Sequence, residues 1–207
     1  MAPRVVVLDY GSGNLRSAQR ALERVGASVV VTPDLGAARE ADGLVVPGVG
    51  AYAACMAGIE ALDAGPVIAD RVRDGRPVLG ICVGMQILFA AGLEGTAHGS
   101  VETKGLGLLP GAVTRLSAPV VPHMGWNTVS WPASTRLGAG LAEGTRFYFV
   151  HSYAAPPVVD GVAVATTFHG APFAAAVEFG PLSATQFHPE KSGDAGATLL
   201  ANWVRSL

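Results

Sequence analysis

A cysteine between two glycines lies at the centre of segment 76–86, which reads Arg-Pro-Val-Leu-Gly-Ile-Cys-Val-Gly-Met-Gln. Gly80 and Gly84 stand two residues before and after Cys82, the G-x-S-x-G spacing of a nucleophile elbow with cysteine in the serine position. Such an elbow needs strained backbone and close approach of neighbouring chain, which side chains at the glycines would block. It presents the thiol at a helix N-terminus, which favours a thiolate and stabilises an oxyanion. Cys82 is therefore a candidate nucleophile; the alternative is a small buried hydrophobic residue.

A histidine and a glutamate two residues apart form the second chemical signal, in segment 186–192, Gln-Phe-His-Pro-Glu-Lys-Ser. Residues two apart in an extended segment point to the same face, so His188 and Glu190 can reach one site, with Pro189 stiffening the segment. A thiol needs a base, and the base needs a carboxylate to fix its tautomer and stabilise imidazolium. Cys82, His188 and Glu190 thus form a candidate triad. An ordinary His–Glu pair on a surface loop is the alternative, which the separate nucleophile pattern disfavours.

A glycine-containing loop, Pro-Gly-Val-Gly at 47–50, follows a predicted strand. It lies at the carboxyl end of that strand, where parallel-sheet proteins bind their ligands. Its glycines allow the backbone of Val49 and Gly50 to turn N–H groups toward a site. Together with the N–H of Val83, such a group could bind a developing oxyanion. Taken alone, the loop is better explained as a glycine-rich turn between a strand and a helix.

The elements that must position these residues alternate between strand and helix in the first half of the chain. This spacing is typical of βαβ units and a parallel sheet. The predicted strands cover residues 5–10, 29–32, 43–46 and 78–81, and the predicted helices cover 15–25, 52–62, 67–73 and a further one beginning over 85–90.

The second half is rich in strands from about residue 106 onward. Strands are predicted over 112–116, 126–130, 146–153, 162–168, 173–179 and 183–187. A closing helix is predicted over 195–206, with Asp194 as its cap. We therefore expect one domain over residues 1–207, a three-layer α/β fold with a mainly parallel central sheet and an antiparallel extension.

Composition excludes several classes of function. The 207 residues carry a formal net charge of −2 without a run of like charge, so no electrostatic footprint for nucleic acid or an anionic membrane exists. The N-terminal apolar run is too short for a signal peptide. The uncharged stretch between Arg115 and Arg136 contains prolines and polar side chains and is no membrane span. Two cysteines make no disulfide framework, which predicts a reducing, cytoplasmic location.

Cofactor and metal signals are weak. Gly-Ser-Gly at 11–13 resembles the start of a dinucleotide fingerprint, but Arg16 stands where the third glycine belongs. The remaining histidines show no metal-ligand spacing; they are His98, His123, His151 and His169. We expect neither a cofactor nor a bound metal.

The motifs together resemble the class I, triad-type glutamine amidotransferases, and more closely the glutaminase subunits of imidazole glycerol phosphate synthase, which serves histidine biosynthesis. The resemblance covers essentially the whole chain. Pro-Gly-Val-Gly at 47–50 and Pro-His-Met-Gly-Trp-Asn at 122–127 narrow it to this subunit, whereas the elbow and His-Pro-Glu are shared by the superfamily. Further matching segments lie at 9–15 and 148–153. Val83 stands where the family usually has leucine, which leaves the N–H in place.

The resemblance implies a role for each matched residue. Cys82 attacks the γ-carboxamide of glutamine, and His188, oriented by Glu190, moves the protons. Backbone N–H groups of Val49, Gly50 and Val83 form the oxyanion hole. The glutamine-binding positions are Gln86, Glu94, Ser152 and Tyr153.

The resemblance also implies a partner, because the glutaminase motifs occupy the chain and leave no domain to consume ammonia. This partner is a (β/α)8-barrel cyclase subunit in a heterodimer, which uses the ammonia to make imidazole glycerol phosphate and an aminoimidazole carboxamide ribonucleotide. Docking with its nucleotide substrate is expected to activate the glutaminase, by closing the site or reorienting loop 47–50. The positions expected at the interface are Asn14, Trp126, Tyr148 and Lys191.

Three other interpretations compete with this one. The glutaminase subunit of another synthase, such as that of pyridoxal phosphate synthesis, usually has a Pro-Gly-Gly-Glu-Ser-like loop after the third strand. An α/β-hydrolase acting as a peptidase or esterase places its acid before the histidine, whereas Glu190 follows His188. A non-catalytic binding module would have lost its nucleophile, and Cys82 is present.

Overall fold

The computed structural model describes residues 1–96 and 99–207, and it does not describe the side chains of residues 95–101. His98 lies outside the described residues. The strands in chain order are β1 (Arg4–Leu8), β2 (Ser28–Thr32), β3 (Gly43–Gly48), β4 (Val78–Cys82), β5 (Phe89–Thr96), β6 (Gly99–Lys104), β7 (Leu109–Arg115), β8 (His123–Thr128), β9 (Arg146–His151), β10 (Tyr153–Ala154), β11 (Ala163–His169), β12 (Ala171–Phe179) and β13 (Leu182–Thr185).

The helices lie mostly in the first half and at the end of the chain. They are α1 (Leu15–Arg24), α2 (Leu35–Glu40), α3 (Tyr52–Ala61), α4 (Ala64–Arg73), α5 (Val83–Gln86) and α6 (Gly193–Val204), with a single 3-10 turn at Pro189–Lys191.

A seven-stranded central sheet has the order β11-β12-β13-β4-β3-β1-β2. The pairs from β13 to β2 are parallel, and β11, β12 and β13 pair antiparallel. This confirms the predicted α/β class with a mainly parallel sheet and an antiparallel extension. The rest of the second half forms a four-stranded sheet, β10-β7-β5-β6, and a two-stranded ribbon, β8-β9.

The order of the central strands gathers the chemical residues at one edge. β4 lies between β3 and β13, and all three run in the same direction. Gly48 at the end of β3 pairs with Cys82 at the end of β4, and Thr185 at the end of β13 pairs with Ile81. The chain after Thr185 leads directly to His188. Loop 47–50, the thiol and the histidine therefore meet at the carboxyl edge.

The sheet is a hydrophobic layer covered on its faces by helices with one apolar side. Every residue of β3 and β4 is buried, as expected of central parallel strands. On α1, Ala18 and Leu22 are buried while its arginines face outward. On α6, Leu199 and Trp203 are buried against the core. These amphipathic patterns are what made both helices readable from the sequence.

Three local predictions were wrong. The helix expected over 85–90 ends at Gln86, and β5 begins at Phe89. Ile87, Leu88 and Phe89 are all fully buried, so this segment has no polar face to present as a surface helix. The sequence analysis also missed α2, although the Asp34 carboxylate accepts N–H bonds from Gly36 and Ala37 at its start.

The cap of the last helix is the third correction. Asp194 does not cap α6; it lies in the first turn, and its carboxylate pairs with Arg24 of α1 at 2.9 Å. The residue at the cap position is Ser192, whose hydroxyl hydrogen-bonds elsewhere. A carboxylate in the first turn still complements the partial positive charge at the N-terminus of α6.

A buried arginine anchors the strand that carries the nucleophile. The Arg71 guanidinium on α4 donates to five backbone carbonyls, those of Ala38, Arg39, Ala41, Asp42 and Pro77, at 2.9–3.1 Å. The first four lie at and beyond the C-terminus of α2, where a cation is favoured, and the fifth directly precedes β4. Burial lowers the pKa of Arg71 to about 10, which leaves it charged at neutral pH.

Arg71→Met should destabilise the protein by about 3 kcal/mol or more, because buried carbonyls lose their donors. Urea denaturation followed by circular dichroism measures the change. Arg73→Met, two residues along the same helix, is the matched control: its exposed guanidinium pairs only with Asp70 and Asp74 among the described salt bridges, so little change is expected. Equal stability of the two variants would contradict the anchoring role.

Candidate active site

Cys82 sits in strained backbone at the junction of β4 and α5. Its φ of 57° and ψ of −115° place a non-glycine residue at positive φ, a conformation shared among the described non-glycine residues only with Asp63. Strain of this kind persists where the surroundings over-determine it, and it is concentrated at functional sites. Cys82 is 4% exposed and lines a cavity at the carboxyl edge of the sheet.

The flanking glycines are needed for close approach. A Cβ on Gly84 would overlap the carbonyl oxygen of Val46 on β3. A Cβ on Gly80 would come within 2.8 Å of Leu88 Cδ1, and one on Gly48 within 2.5 Å of the Gly84 nitrogen. The elbow therefore has both predicted features: Cys82 has a strained backbone, and the glycines allow neighbouring chain to approach closely. Because α5 is a single turn, its dipole is smaller than the predicted longer helix would supply.

His188 is held by backbone bonds to β9. Its N–H donates to the Tyr148 carbonyl at 3.0 Å. The Ser192 hydroxyl donates to the His188 carbonyl at 2.7 Å and accepts from the Tyr148 N–H at 3.0 Å. The sequence analysis gave Ser192 no role, and its place four residues after His188 in the same motif was the available signal.

A short hydrogen bond joins His188 to Glu190. His188 Nδ1 donates to Glu190 Oε1 at 2.7 Å, and both side chains are almost fully buried. This fixes the tautomer so that Nε2 is the nitrogen available to Cys82. Burial lowers the pKa of His188, but the Cys82 sulfur and the Glu190 carboxylate outweigh it and raise the pKa to about 9. The ring therefore carries its second proton at neutral pH.

Two glutamine side chains complete the surroundings of the thiol. Gln86 Nε2 donates to the Tyr153 carbonyl at 2.8 Å and to Gln186 Oε1 at 2.9 Å. Gln186 Nε2 in turn lies 3.9 Å from Cys82 Sγ. The sequence analysis missed Gln186 as a site residue. Its position two residues before His188 in an extended segment, and hence on the same face, could have identified it.

The cavity in front of Cys82 has a volume of about 390 Å³, within the range of small-molecule sites. Its walls include all four residues predicted to bind glutamine, which are Gln86, Glu94, Ser152 and Tyr153. One oxygen of Glu94 accepts the N–H of Tyr52 at the start of α3, at 2.9 Å. The cavity therefore combines a nucleophile, an acid–base group and a carboxylate wall.

Loop 47–50 is held by the hydroxyl of Ser12. Val49 donates its N–H to Ser12 Oγ at 3.1 Å, and the same hydroxyl donates back to the Val49 carbonyl at 2.9 Å. The Tyr10 hydroxyl donates to the Pro47 carbonyl, and Cys55, the second cysteine, is buried beneath the loop. Val49, Gly50 and Val83 all line the cavity, but the Val49 N–H predicted for the oxyanion hole is engaged by Ser12 in this conformation.

Three of the four residues predicted at a partner interface lie together. Trp126 on β8 is 54% exposed and packs edge-on against Tyr148 on β9, with ring centres 6.0 Å apart. The Lys191 ammonium lies 5.9 Å from the centre of the Tyr148 ring. Asn14 lies apart from them, at the start of α1 beside a small cleft that His188 and Glu190 also line. Met124 is 67% exposed on the same ribbon.

The three described histidines outside the triad come together in space, although they are scattered in the sequence. His123 Nδ1 lies 3.1 Å from His151 Nε2, and the rings of His123 and His169 stack with centres 4.4 Å apart. Within residues 1–96 and 99–207, no group of three or more His, Cys, Asp or Glu side chains is arranged to hold a metal ion.

No helix in the described part of the chain is both long and apolar enough to cross a lipid bilayer.

Comparison with known proteins agrees with the geometry. Residues 6–207 match the family model described as glutamine amidotransferase class-I. A protein of Mycolicibacterium paratuberculosis named imidazole glycerol phosphate synthase subunit HisH is 65% identical, with 98% of each chain covered. Its namesake from Thermobifida fusca is 60% identical over the full length of both. A crystal structure of a glutamine amidotransferase, 20% identical, superposes with a TM-score of 0.75 over 98% of this chain and 99% of that chain.

Glu190→Gln should lower the pKa of His188 below about 9, because a neutral amide no longer stabilises imidazolium. NMR titration of the histidine ring measures it directly. Because the pKa of His188 is higher in the folded state, the protonated ring stabilises the folded protein. This contribution is fully present below pH 6.5, the ordinary pKa of histidine, and is lost as pH rises through about 9. The fall in unfolding free energy between these pH values should therefore shrink in the variant.

Glu178→Gln is the control for this titration, since Glu178 is also buried but pairs with Arg136 far along the sheet. An unchanged His188 titration in Glu190→Gln would contradict the assigned role of Glu190.

Proposed function

Because the chain belongs to the class I glutamine amidotransferases, and among them to the HisH subunits of imidazole glycerol phosphate synthase, we propose that it hydrolyses glutamine and delivers the ammonia to a partner subunit. The observation that carries the proposal is the buried His188–Glu190 pair, because His188 lines the same cavity as Cys82. Cys82, His188 and Glu190 are the proposed triad.

The reaction proceeds through a thioester. Cys82 Sγ attacks the γ-carboxamide carbon, and His188 Nε2 gives its proton to the departing nitrogen as the C–N bond breaks. Water then attacks the thioester carbon and gives a proton back to His188, and the C–S bond breaks to release glutamate. Glu190 stabilises the charged ring before attack and after hydrolysis, which is the state that its 2.7 Å hydrogen bond favours.

The cavity supplies groups suited to the two ends of glutamine. Glu94 places a carboxylate on the wall, which complements the α-ammonium group of an amino acid. The backbone around Ser152 and Tyr153 lines the same wall and is proposed to hold the α-amino and α-carboxylate groups. Gln86 hydrogen-bonds to Gln186, which lies 3.9 Å from the thiol, and is proposed to contact the substrate side chain.

The oxyanion hole is proposed to combine the Val83 N–H with an N–H from Val49 or Gly50. In the present conformation the Val49 N–H points to Ser12 Oγ, so the peptide must turn before it can donate to an oxyanion. We therefore infer that a partner activates the site by releasing this bond and reorienting loop 47–50. The exposed position of Val49 leaves space for this movement. Gly50, which has a φ of 84°, gives the backbone the conformational freedom to turn.

The partner is proposed to be a cyclase subunit with a (β/α)8-barrel fold, joined in a heterodimer. The word subunit in the relatives' names supports a partner, and the exposed Trp126 with Tyr148 and Lys191 supplies an aromatic and cationic docking face. Asn14 is proposed at the edge of that interface. The single domain over residues 1–207 is proposed to act in the cytoplasm, where its two free cysteines stay reduced.

Cys82→Ala should reduce glutamine-dependent synthesis by the complex at least about a thousandfold while leaving ammonia-dependent synthesis largely intact. Removing the nucleophile abolishes the thioester but leaves the partner's chemistry untouched. Product formation from the nucleotide substrate by the complex with purified cyclase, supplied with either glutamine or ammonia, measures both syntheses, and a glutamate-release assay measures glutamine hydrolysis. Cys55→Ala is the matched control and should retain activity. Glutamine hydrolysis that survives in Cys82→Ala would overturn the proposed nucleophile, and hydrolysis indifferent to the cyclase would overturn partner gating.

Ser12→Ala should raise glutamine hydrolysis without the partner by about three- to tenfold, because it removes the hydroxyl that binds both the N–H and the carbonyl of Val49. Ser17→Ala on the neighbouring helix α1 controls for the general effect of losing a serine. A fall, or no change, in partner-free activity of Ser12→Ala would contradict the loop mechanism.

Gly50→Pro is the opposite change to the same loop. Proline cannot adopt the φ of 84° that Gly50 needs, so stimulation by the partner should be abolished. Gly48 is unsuitable for this test, because any side chain there would strike the elbow at Gly84. Unchanged stimulation in Gly50→Pro would refute the reorientation of loop 47–50.

A further inference from the structure

Two buried histidines face each other across the β8–β9 ribbon. His123 opens β8 and His151 ends β9, and the two are direct partners in the antiparallel register. Both side chains are almost fully buried, and His123 Nδ1 lies 3.1 Å from His151 Nε2. The rings of Phe149 and Phe173 pack around the pair. In apolar surroundings each nitrogen of such a pair needs a hydrogen-bond partner, because an unpaired buried polar atom destabilises the fold.

The hydrogen-bond partners fix both tautomers. His151 Nδ1 lies 2.9 Å from the Tyr153 carbonyl, which can only accept, so Nδ1 carries the hydrogen and Nε2 accepts. His123 Nδ1 must then donate to His151, which leaves His123 Nε2 as an acceptor 3.2 Å from Asn127 Nδ2. The Asn127 amide is itself oriented, because Oδ1 accepts the Thr128 N–H and Nδ2 donates to the Phe168 carbonyl.

Both rings are held neutral. Burial, followed by the neighbouring His169, lowers the pKa of His123 to about 4. Burial is also the main reason that the pKa of His151 falls to about 3, against the opposing effect of the Tyr153 carbonyl; His123, His169 and His188 lower it further. Protonation of either ring would set two donors against each other, so the chain of hydrogen bonds exists only in the neutral pair.

The chain of bonds ends at the cavity. The Tyr153 carbonyl accepts from His151 Nδ1 and also from Gln86 Nε2 at 2.8 Å. The second hydrogen of Gln86 Nε2 goes to Gln186 Oε1. Both Nε2 hydrogens are thus used, and Oε1 is the atom with which Gln86, a cavity-lining residue, can meet a ligand.

We propose that His123 and His151 are positioning residues for glutamine binding, which hold the Tyr153 carbonyl in place and thereby direct the Gln86 carboxamide to present its oxygen to the cavity. An oxygen at this point accepts from the amide or ammonium hydrogens of glutamine and disfavours a carboxylate there. The pair therefore contributes to discrimination between glutamine and glutamate. This inference rests on the proposed glutaminase function and assigns a role to residues outside the triad.

The test is the Michaelis constant for glutamine in the complex with the cyclase. His151→Phe keeps the ring but loses both bonds, and should raise KM for glutamine at least about tenfold and weaken discrimination against glutamate as an inhibitor. His151→Asn keeps a donor at the position of Nδ1 and should restore KM to within about threefold of the unaltered protein. His169→Phe is the matched control. It keeps the ring that stacks on His123 and loses only the hydrogen bond to the Val120 carbonyl, which lies outside the chain of bonds to Tyr153, so KM should be unchanged.

Calorimetric binding of glutamine to Cys82→Ala, with and without His123→Phe, provides a second measurement on protein shown to be folded by circular dichroism. Weaker binding in the double variant is expected, because His151 Nε2 loses its hydrogen-bond donor and the ring is held less firmly against the Tyr153 carbonyl. If the unaltered complex hydrolyses glutamine and His151→Phe has an unchanged KM, this inference is overturned alone. If the unaltered complex does not hydrolyse glutamine, the proposed function is overturned and this inference with it.

Discussion

The contact between the backbones of β3 and the elbow is the constraint on which the site depends. Gly84 lies so close to the Val46 carbonyl, and Gly48 so close to the Gly84 nitrogen, that no side chain fits at either position. This packing of peptide against peptide holds Cys82 at positive φ, a conformation it would not adopt alone. It also sets loop 47–50 beside the thiol. One contact therefore fixes both the nucleophile and the loop that is proposed to serve it.

The histidine approaches this contact from the opposite side of β4. His188 is held by β9 through both backbone polar groups of Tyr148. The Tyr148 carbonyl accepts the His188 N–H, and the Tyr148 N–H donates to Ser192 Oγ, which in turn donates to the His188 carbonyl. The same ribbon carries the exposed Trp126 on one face and the buried His123–His151 pair on the other. The two-stranded ribbon thus touches the triad, the substrate cavity and the exposed aromatic face.

Much of the site is local in sequence, and that part was predictable. The spacing of the glycines around Cys82 and the two-residue separation of His188 and Glu190 follow directly from backbone geometry. Short motifs were therefore enough to identify these residues as candidates. The position of loop 47–50 directly after a predicted strand indicated a site at the carboxyl edge of a parallel sheet. The alternation of strands and helices in the first half of the chain, beginning with β1, α1 and β2, predicted the α/β fold class.

The parts that escaped prediction depend on long-range contacts. His123 and His151 are separated by twenty-eight residues, and only strand pairing makes them partners. The engagement of the Val49 N–H by Ser12 joins residues thirty-seven positions apart. The short length of α5 follows from burial of Ile87, Leu88 and Phe89 on all sides, which local periodicity cannot reveal. The sequence predicts groups that share one element, and tertiary packing decides which of them meet.

The apolar face of the ribbon has a consequence for how this protein must be produced. Met124 and Trp126 are exposed on β8, while Val120 and Phe168, also exposed, belong to segments hydrogen-bonded to His169 and Asn127. Contiguous exposed apolar surface is a site for self-association. This face therefore predisposes the isolated chain to associate with itself at high concentration.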